Sequence, residues 1–433
     1  ATGSYDIPKV EFSAESWVTT TVPMGAYRGA GRPEATHGIE RIMDRYAVEI
    51  GMDPAELRRR NFIDPEVFPF TTPSGQVYDS GAYADALDAV LDALGIEDLR
   101  ADQDRRRGDD ECSLLGIGFA AYVEIANPVR APEFGSVTIR PDGSAVVLTG
   151  SSAHGQSHHT TFAQVAADVL GIDFDLIEVR HGDTDEVVRG GGTGGSRSLQ
   201  TGGVAVHRAS EAVVEDAKRV VAGLLEASAD DVVLDVDSGV FSVAGSPTVH
   251  VGWVDVAAEA ARIGEQLAEE VDFQPSEATF PFGVHASVVE VDRETGQVSI
   301  LRHVACDDAG IIVNPMIVDG QVHGGIAAGV AQALMEEFRY ADDGTPLTTN
   351  FMDYGIVSAV ELPPFERIVQ ETPTEENPLG VKGIGEAGTI GAMPAVQNAV
   401  VDALAHLGVH HVDIPLVSQR VWETIGSAVA SKA

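Results

Sequence analysis

The chain has 433 residues, of which 44 % are hydrophobic and 46 are glycine. This length and composition predict a folded, loop-rich α/β protein of two or three domains. Its 67 acidic and 28 basic residues give a formal net charge of −39. That charge repels phosphate backbones and anionic lipid, which excludes nucleic acid and membrane surfaces as partners, and no apolar stretch is long enough to span a membrane.

The cysteine content restricts the redox chemistry that the chain can carry. Cys112 and Cys306 are its only two cysteines, too few for an iron–sulfur cluster or a four-cysteine zinc site. They indicate a reducing, cytoplasmic compartment with both thiols free. The heavy acidity with few lysines is typical of proteins kept soluble in strong salt, and a biased genomic composition explains it equally well. The chain opens without methionine or signal peptide, so we expect an N-terminal portion that precedes it.

The first predicted helix begins at Pro33 and ends at Gly51, because apolar residues recur at helical spacing between them. Asp53 then resembles the N-cap of a second, short helix.

A charged and largely aperiodic stretch, 96–111, predicts a linker. It divides the chain into a first part, 1–95, and a second part, 112–433. We expect the second part to consist of two halves, about 112–275 and 276–433.

Strands and helices alternate beyond the linker. Because hairpin turns join several of the strands, the pattern predicts a mixed α/β (α+β) fold with mixed rather than purely parallel sheets. Predicted strands occupy about 116–125, 135–141, 145–150, 176–182, 285–291 and 298–304, and predicted helices about 157–170, 201–225, 253–268, 315–338 and 394–407.

Three glycine-rich segments each precede a predicted helix. In the first, 150–159, the backbone N–H groups of Gly155, Gln156 and Ser157 suit an anion such as phosphate at a helix N-terminus. An ordinary capped loop is the alternative interpretation. The three histidines of this segment fit no zinc-binding spacing, and we exclude a zinc site.

The second glycine-rich segment, 189–198, contains a run of glycines that includes Gly194 and Gly195. Successive N–H groups in such a run can line a concave anion site. No lysine follows as a Walker loop requires, so we predict a site for cofactor phosphate, with a flexible linker as the alternative. Hydroxyl and guanidinium groups are contributed by Thr193, Ser196, Arg197 and Ser198.

The third segment, 380–389, matches the spacing of a dinucleotide-binding fingerprint at Gly383, Gly385 and Gly388. No buried strand precedes it, and the acidic residue at the required distance lies within a predicted helix, so the match is weak. What remains is Glu386 among glycines, a placement that suits a base acting on a large ligand. The alternative is a glutamate favourably placed near a helix N-terminus.

Two other segments contain residues that suit a binding site. Gln321 lies in the predicted helix 315–338, whose glycines form a small-residue face for close packing. Arg28 lies in the glycine-rich loop 25–32, which alone is equally compatible with a turn that carries a surface ion pair.

Taken together, these segments resemble the large subunits of molybdenum hydroxylases of the xanthine oxidase and aldehyde oxidase family. GAYRGAGRPEA, HGQSHH, GGGTGGSRS, GQVHGG and GVKGIGEAGT occur in the order typical of that family, and the resemblance covers essentially the whole chain. It implies that 1–95 is the end of a first molybdopterin-binding domain and 112–433 a second. It also implies a mixed α/β fold and molybdopterin cytosine dinucleotide as the cofactor.

The resemblance assigns roles to individual residues. Glu386 resembles the family's catalytic glutamate beside molybdenum, and Arg28 resembles an arginine of the substrate pocket that steers or stabilises negative charge. Gln321 resembles a glutamine that hydrogen-bonds the cofactor near the metal. The protein contributes no metal ligand, because the pterin dithiolene holds the molybdenum. The remaining implied cofactor contacts are Gly155, Gln156, Ser157, Thr193, Gly194, Gly195, Ser196, Arg197, Ser198 and Gly385.

The sequence departs from the family's pattern in two places. Copper-containing carbon monoxide dehydrogenases of the family carry a cysteine where Gly29 stands here, so this chain has no thiolate to hold copper. The AYRGAGR form resembles the carbon monoxide dehydrogenase-like members, whose substrates are mostly aldehydes or N-heterocycles. A GGxFGxK-type loop of the family's N-terminal half is also missing, and we expect no activity from this chain alone.

The implied partners are the N-terminal half of the large subunit, a [2Fe-2S] small subunit, an FAD-binding medium subunit and a small-molecule substrate, in a dimer of heterotrimers. Two other hypotheses compete with the hydroxylase. A non-catalytic, cofactor-binding scaffold of the same family does not need an intact Glu386 or Gln321. A nicotinamide oxidoreductase rests only on GIGEAG.

Overall fold

The structure is a computed structural model, and it describes residues 2–109 and 111–432. Within this part of the chain, no helix combines the length and apolar character needed to cross a membrane. The helices are α1 (Arg32–Ile50), α2 (Pro54–Asn61), α3 (Tyr83–Leu94), α4 (Ile96–Gly108), α5 (His158–Leu170), α6 (Val204–Leu225), α7 (Trp253–Ile263), α8 (Pro315–Leu334), α9 (Ala387–Leu404) and α10 (Ser418–Lys432). The strands are β1 (Phe70–Thr71), β2 (Val77–Tyr78), β3 (Ser113–Val123), β4 (Glu133–Ile139), β5 (Ala145–Thr149), β6 (Ile177–Arg180), β7 (Val232–Asp235), β8 (Val240–Val243), β9 (Ser246–Gly252), β10 (Ala268–Phe273), β11 (Phe282–Asp292), β12 (Val298–Asp308) and β13 (Phe365–Gln370).

Two four-stranded mixed sheets form the centre of the fold. The first has the order β13-β12-β11-β3, antiparallel except for the parallel pair β12/β13. The second has the order β10-β4-β5-β6, antiparallel except for β5/β6. A small antiparallel sheet, β7-β8-β9, completes the 112–275 region. The predicted mixed α/β architecture is therefore confirmed.

Helices cover both sheets. On one face of the first sheet, α8 and α9 share a hydrophobic core with β11 and β12, and α3 packs on the other face. Helices α5, α6 and α7 cover the second sheet. Helix α9 approaches β3 so closely that a Cβ at Gly116 or Gly118 would lie 2.0 Å from the helix backbone. The strand glycines thus fix the position of α9 and of the residues that precede it.

The two predicted N-terminal helices are present as α1 and α2. Pro33 lies in the first turn of α1, and Gly51 ends the helix in the left-handed conformation with φ of 66°. Asp53 caps α2, because its Oδ1 accepts hydrogen bonds from the backbone N–H groups of Ala55 and Glu56.

The charged segment predicted as a linker, 96–111, is largely helical instead. Helix α4 has no apolar stripe, and charged and polar contacts hold it in place. Arg106 bridges Asp102, one turn earlier in α4, to Glu290 on β11. Gln103 donates to the β3 backbone and to Asp402 of α9. Ion pairs and hydrogen bonds to neighbouring elements thus stabilise α4 in place of an apolar face. The division of the chain into domains remains a prediction.

Other differences from the sequence-based expectation concern boundaries. Helix α9 begins at Ala387 rather than near 394, so Pro394 lies inside the helix and not in its first turn. Helices α7 and α8 end at Ile263 and Leu334, earlier than predicted. Helices α3 and α10 and strands β10 and β13 were not predicted, although apolar residues recur at helical spacing in α3 and Gly95 ends it. Because α9 is buried on nearly all sides, it lacks the amphipathic pattern that would mark its start.

Candidate active site

The three glycine-rich segments, the N-terminal half of α8 and the loop before α1 meet around one cavity of about 400 Å³. Among the residues predicted to form a site, Gly155, Ser157 and Arg197 do not line it. Gly155 and Ser157 have positive φ values of 100° and 57° and shape the loop before α5. The predicted residues that do line the cavity are Arg28, Gln156, Thr193, Gly194, Gly195, Ser196, Ser198, Gln321, Gly385 and Glu386.

Glu386 occupies the N-cap position of α9, yet its side chain makes no capping hydrogen bond to the helix. Instead, Oε1 accepts a 3.0 Å hydrogen bond from the backbone N–H of Gly29, and Oε2 accepts one of 2.7 Å from the hydroxyl of Ser196. The two donors belong to segments that are far apart in sequence. They hold the carboxylate at the wall of the cavity, which differs from the helix-capping alternative.

Arg28 links the Glu386 segment to α8. Its Nε donates to the carbonyl of Gly385 at 2.7 Å, and its Nη2 donates to the carbonyl of Gln321 at 2.8 Å. Burial lowers the pKa of the Arg28 guanidinium, an effect that Tyr27 and Glu386 oppose. Because an arginine stays protonated in proteins, Arg28 places a positive charge beside the cavity.

Gly29 has a backbone conformation that other residues rarely adopt, with φ of 102°. A Cβ at this position would lie 2.6 Å from Cδ of Pro33. Any side chain here would therefore be strained, whatever its chemistry. In this conformation the backbone N–H of Gly29 faces the Glu386 carboxylate, and a cysteine at this position would be strained.

The second and third glycine-rich segments pack directly on each other. Ser196 has a left-handed conformation with φ of 52°. A Cβ at Gly383 would lie 2.1 Å from the carbonyl oxygen of Ser196. This close approach brings the Ser196 hydroxyl within reach of the Glu386 carboxylate.

Glu133 is an organising residue that the sequence analysis missed. Its side chain is fully buried at the start of β4. It accepts hydrogen bonds of 3.3 Å from the backbone N–H of Gly191 and from the hydroxyl of Ser151, and Arg197 Nη2 lies 3.8 Å away. Glu133 thus joins the first and second glycine-rich segments. The available signal was one carboxylate at the start of a strand that has no other charged residue.

Lys382 also lines the cavity and was not predicted. Its Nζ lies 2.9 Å from Oδ2 of Asp308, and both side chains are fully buried. Burial raises the pKa of Asp308, and the charge of Lys382 opposes that shift. The pair anchors the third glycine-rich segment to the end of β12.

The first glycine-rich segment contributes a buried histidine ring, that of His158, to the cavity. His158 lines the cavity with 4 % of its surface exposed, and its Nδ1 has no hydrogen-bond partner within the described part of the chain. Burial lowers the pKa of His158 to about 4, so the ring is neutral at neutral pH. No group of three or more His, Cys, Asp or Glu side chains among residues 2–109 and 111–432 is arranged to hold a metal ion. His158 therefore offers an unpaired ring nitrogen to a ligand in the cavity.

Family comparisons agree with this arrangement of segments. A family model described as "Molybdopterin cofactor-binding domain" matches residues 89–363, and a second model with the same description matches residues 1–62.

Two relatives match nearly the whole chain. It is 39 % identical to the carbon monoxide dehydrogenase large chain of Hydrogenophaga pseudoflava, covering 98 % of this chain and 55 % of that protein. It is 36 % identical to the nicotine 6-hydroxylase large subunit of Paenarthrobacter nicotinovorans, covering 97 % and 53 %. The chain thus spans about half the length of these curated relatives.

Solved structures show the same fold. A reconstituted CO dehydrogenase from Oligotropha carboxidovorans matches with a TM-score of 0.90 and 33 % identity, over 100 % of this chain and 56 % of that one. Quinoline 2-oxidoreductase from Pseudomonas putida 86 matches with a TM-score of 0.85 and 34 % identity, over 93 % and 53 %.

Proposed function

The chain belongs to the molybdopterin cofactor-binding large subunits of the xanthine oxidase family, and from this premise we propose that it is the catalytic half of a molybdenum hydroxylase. The proposed reaction oxidises an aldehyde or an N-heterocycle with oxygen derived from water. The observation that carries the proposal is the Glu386 carboxylate, which two hydrogen-bond donors hold at the wall of the cavity.

The residues around the cavity fit a phosphorylated pterin cofactor. Gly194 has open space beside its Cα, so its backbone is accessible to a ligand. The unpartnered Nδ1 of His158 and the side chain of Gln156 add polar atoms at the same wall. We assign the dinucleotide and pterin to Gln156 and the Thr193–Ser198 segment, and the metal end to Gln321. When bound, molybdopterin cytosine dinucleotide would supply the molybdenum centre that takes up two electrons.

In the proposed mechanism, Glu386 acts as a general base. Each of its carboxylate oxygens accepts one hydrogen bond from the protein and keeps a lone pair for a proton. The hydroxyl of Ser196 and the N–H of Gly29 fix the carboxylate in one orientation, which reduces the reorganisation needed for proton transfer. Arg28 places a positive charge nearby, which favours negative charge that develops on the substrate.

The substrate class follows from Gly29 and from the relatives' names. Carbon monoxide oxidation through a copper thiolate is not proposed, because Gly29 provides no sulfur. Relatives named nicotine 6-hydroxylase and quinoline 2-oxidoreductase act on N-heterocycles, and both match nearly the whole chain. These names support N-heterocycles or aldehydes as substrates.

The proposed assembly contains the N-terminal half of the large subunit, a [2Fe-2S] subunit and an FAD subunit, arranged as a dimer of heterotrimers in the cytoplasm. The chain matches only about half the length of each relative, which supports the N-terminal half of the large subunit as a partner. The two free cysteines support a reducing compartment.

A direct test compares the assembled wild-type complex with its Glu386→Gln variant, using benzaldehyde and quinoline as substrates and a dye as electron acceptor. Loss of the base should lower turnover about 10²- to 10⁴-fold while the molybdenum content stays unchanged. Equal turnover in the two complexes would contradict the proposal. An inactive wild-type complex with full cofactor content would favour the non-catalytic scaffold.

A further inference from the structure

A second cavity, of about 340 Å³, lies at the junction of α1, β2 and the end of β3. It shares no lining residue with the Glu386 cavity. The segment after β3 contacts both: Ile125 and Pro128 line the second cavity, and the N–H of Asn127 donates to the carbonyl of Gly195 beside the first. The second cavity is therefore a separate space near the proposed active site.

Glu124 contributes a buried carboxyl group to this cavity. Its side chain is 3 % exposed, and its Oε2 has no hydrogen-bond partner within the described part of the chain. Burial raises the pKa of Glu124 well above its usual value, and the negative charge of Glu386 adds to that effect, while Arg32 opposes it. A hydrogen bond from the backbone of Ile125 also lowers the pKa of Glu124, so only one carboxyl oxygen is left unpaired. A buried polar atom without a partner is costly, and a ligand that pairs with Oε2 removes that cost.

Arg32 lines the same cavity from the first turn of α1. No carboxylate in residues 2–109 or 111–432 lies within 4 Å of its guanidinium, whereas many other arginines of the chain form such ion pairs. A guanidinium group presents donors in a planar fork that matches a carboxylate. Arg32 is thus a cation without a close anion, at the wall of a cavity whose other charged group is Glu124.

Aromatic and aliphatic side chains form one part of the remaining wall, and the polar side chains of Thr36, Ser74 and Gln76 form another. The rings of Tyr78 and Phe280 lie 4.7 Å apart between centroids, tilted by 46°. The Tyr78 hydroxyl donates to the carbonyl of Gly3 at 3.2 Å, so it is already paired. Ile39 and Val123 complete the apolar surface. The apolar part of the lining suits a flat hydrocarbon body.

We propose that this cavity binds small aromatic carboxylic acids, with the ligand carboxylate paired to Arg32 and hydrogen-bonded by Glu124 and the ring placed against Tyr78 and Phe280. The positive charge of Arg32 favours an organic anion over an organic cation at this position. The site does not depend on molybdenum chemistry. Under the proposed function, however, aromatic carboxylates are the products of aromatic aldehyde oxidation, so this cavity would bind the reaction product.

Isothermal titration calorimetry of the assembled complex with benzoate tests the proposal, with benzylamine as the ligand of opposite charge. Benzoate should bind with one site per chain and at least 10-fold more tightly than benzylamine. Arg32→Met should weaken benzoate binding at least 10-fold. Arg45→Met, which changes an exposed arginine on the same helix, should leave it unchanged.

Glu124 is tested by two replacements of similar volume. Glu124→Gln keeps a hydrogen-bond donor and should retain benzoate affinity within about 3-fold, whereas Glu124→Met should lose most of it. Circular dichroism melting confirms that each variant is folded, and if Glu124→Met is not, Arg32→Met still decides the question. No heat with millimolar benzoate, equal affinity for benzylamine, or an unchanged affinity in Arg32→Met would overturn the proposal.

Discussion

A single backbone N–H group contributes half of the hydrogen bonding that orients Glu386. The group belongs to Gly29, more than 350 residues earlier in the chain. The direction of this N–H depends on the left-handed conformation of Gly29, which glycine adopts more readily than any other residue. Glycine at position 29 therefore helps to orient the proposed base.

Gly29→Ala should therefore destabilise the fold and disturb the site. The added Cβ would lie 2.6 Å from Cδ of Pro33 at a φ of 102°, and such strain costs about 1–3 kcal/mol. Urea denaturation measures the loss in free energy of unfolding. The matched control is Gly25→Ala in the same loop, where the Cβ meets no atom within 4 Å. Equal stability of the two variants would contradict the strained geometry at Gly29.

At the residue scale, the sequence predicted which segments meet but not how they do so. The motifs identified Glu386, Arg28 and Gln321, and the structure brings all three to one cavity. The contact between Ser196 and Glu386 and the role of Glu133 depend on approaches between distant segments. Hydrophobic periodicity and glycine spacing carry no information on such approaches.

At the scale of elements, the packing of α8 against α9 positions the residues before α9. Glycines make this contact close: a Cβ at Gly325 would lie 2.9 Å from Cα of Gly388, and one at Gly329 would lie 2.8 Å from the carbonyl oxygen of Thr389. The small-residue face that the sequence predicted for α8 is thus a packing surface on its buried side.

Two glycines of α8 should respond to alanine in opposite ways. Gly329→Ala should lower the free energy of unfolding by about 1–3 kcal/mol, because the added methyl group has no room against α9. Gly320→Ala, on the exposed side, meets no atom within 4 Å. It should raise stability by about 0.5–1 kcal/mol, since alanine favours a helix more than glycine does. Urea denaturation measures the change in the free energy of unfolding for each variant. Changes of the same sign in both variants would contradict the close packing of α8 against α9.

Several elements that have clear local patterns were predicted from the sequence, but the amphipathic helix α3 was missed. Helix α1 has an amphipathic face, a proline at its start and a glycine at its end, and its predicted bounds match closely. Helix α9 has no polar face, so its start was misplaced at Pro394. Helix α4 has no apolar face and was predicted as a linker, because its stability comes from ion pairs that local sequence does not reveal.

At the scale of the whole molecule, the net charge of −39 opposes folding. Many of the ion pairs join residues three or four positions apart on one helix, as in Arg105–Asp102 and Arg262–Glu259, and such exposed pairs contribute little. Long-range repulsion among the excess carboxylates is therefore only partly offset, and dissolved salt screens it.

The thermal midpoint of unfolding should rise by several degrees between about 0.05 M and 1 M potassium chloride, because the Debye length falls from more than 10 Å to about 3 Å. Differential scanning calorimetry measures the midpoint. Sucrose at matched osmolality is the control for solute exclusion. A midpoint that rises equally in sucrose, or falls in salt, would show that repulsion does not limit the stability of this chain.

The central claim is that the cavity around Glu386 holds a molybdenum dinucleotide cofactor. The most direct measurement is elemental and nucleotide analysis of the natively purified complex, with acid used to release the nucleotide. We expect about one molybdenum and one CMP for each 433-residue chain. Absence of both, in a preparation whose iron–sulfur partner is intact, would contradict it and favour a scaffold that has lost the cofactor.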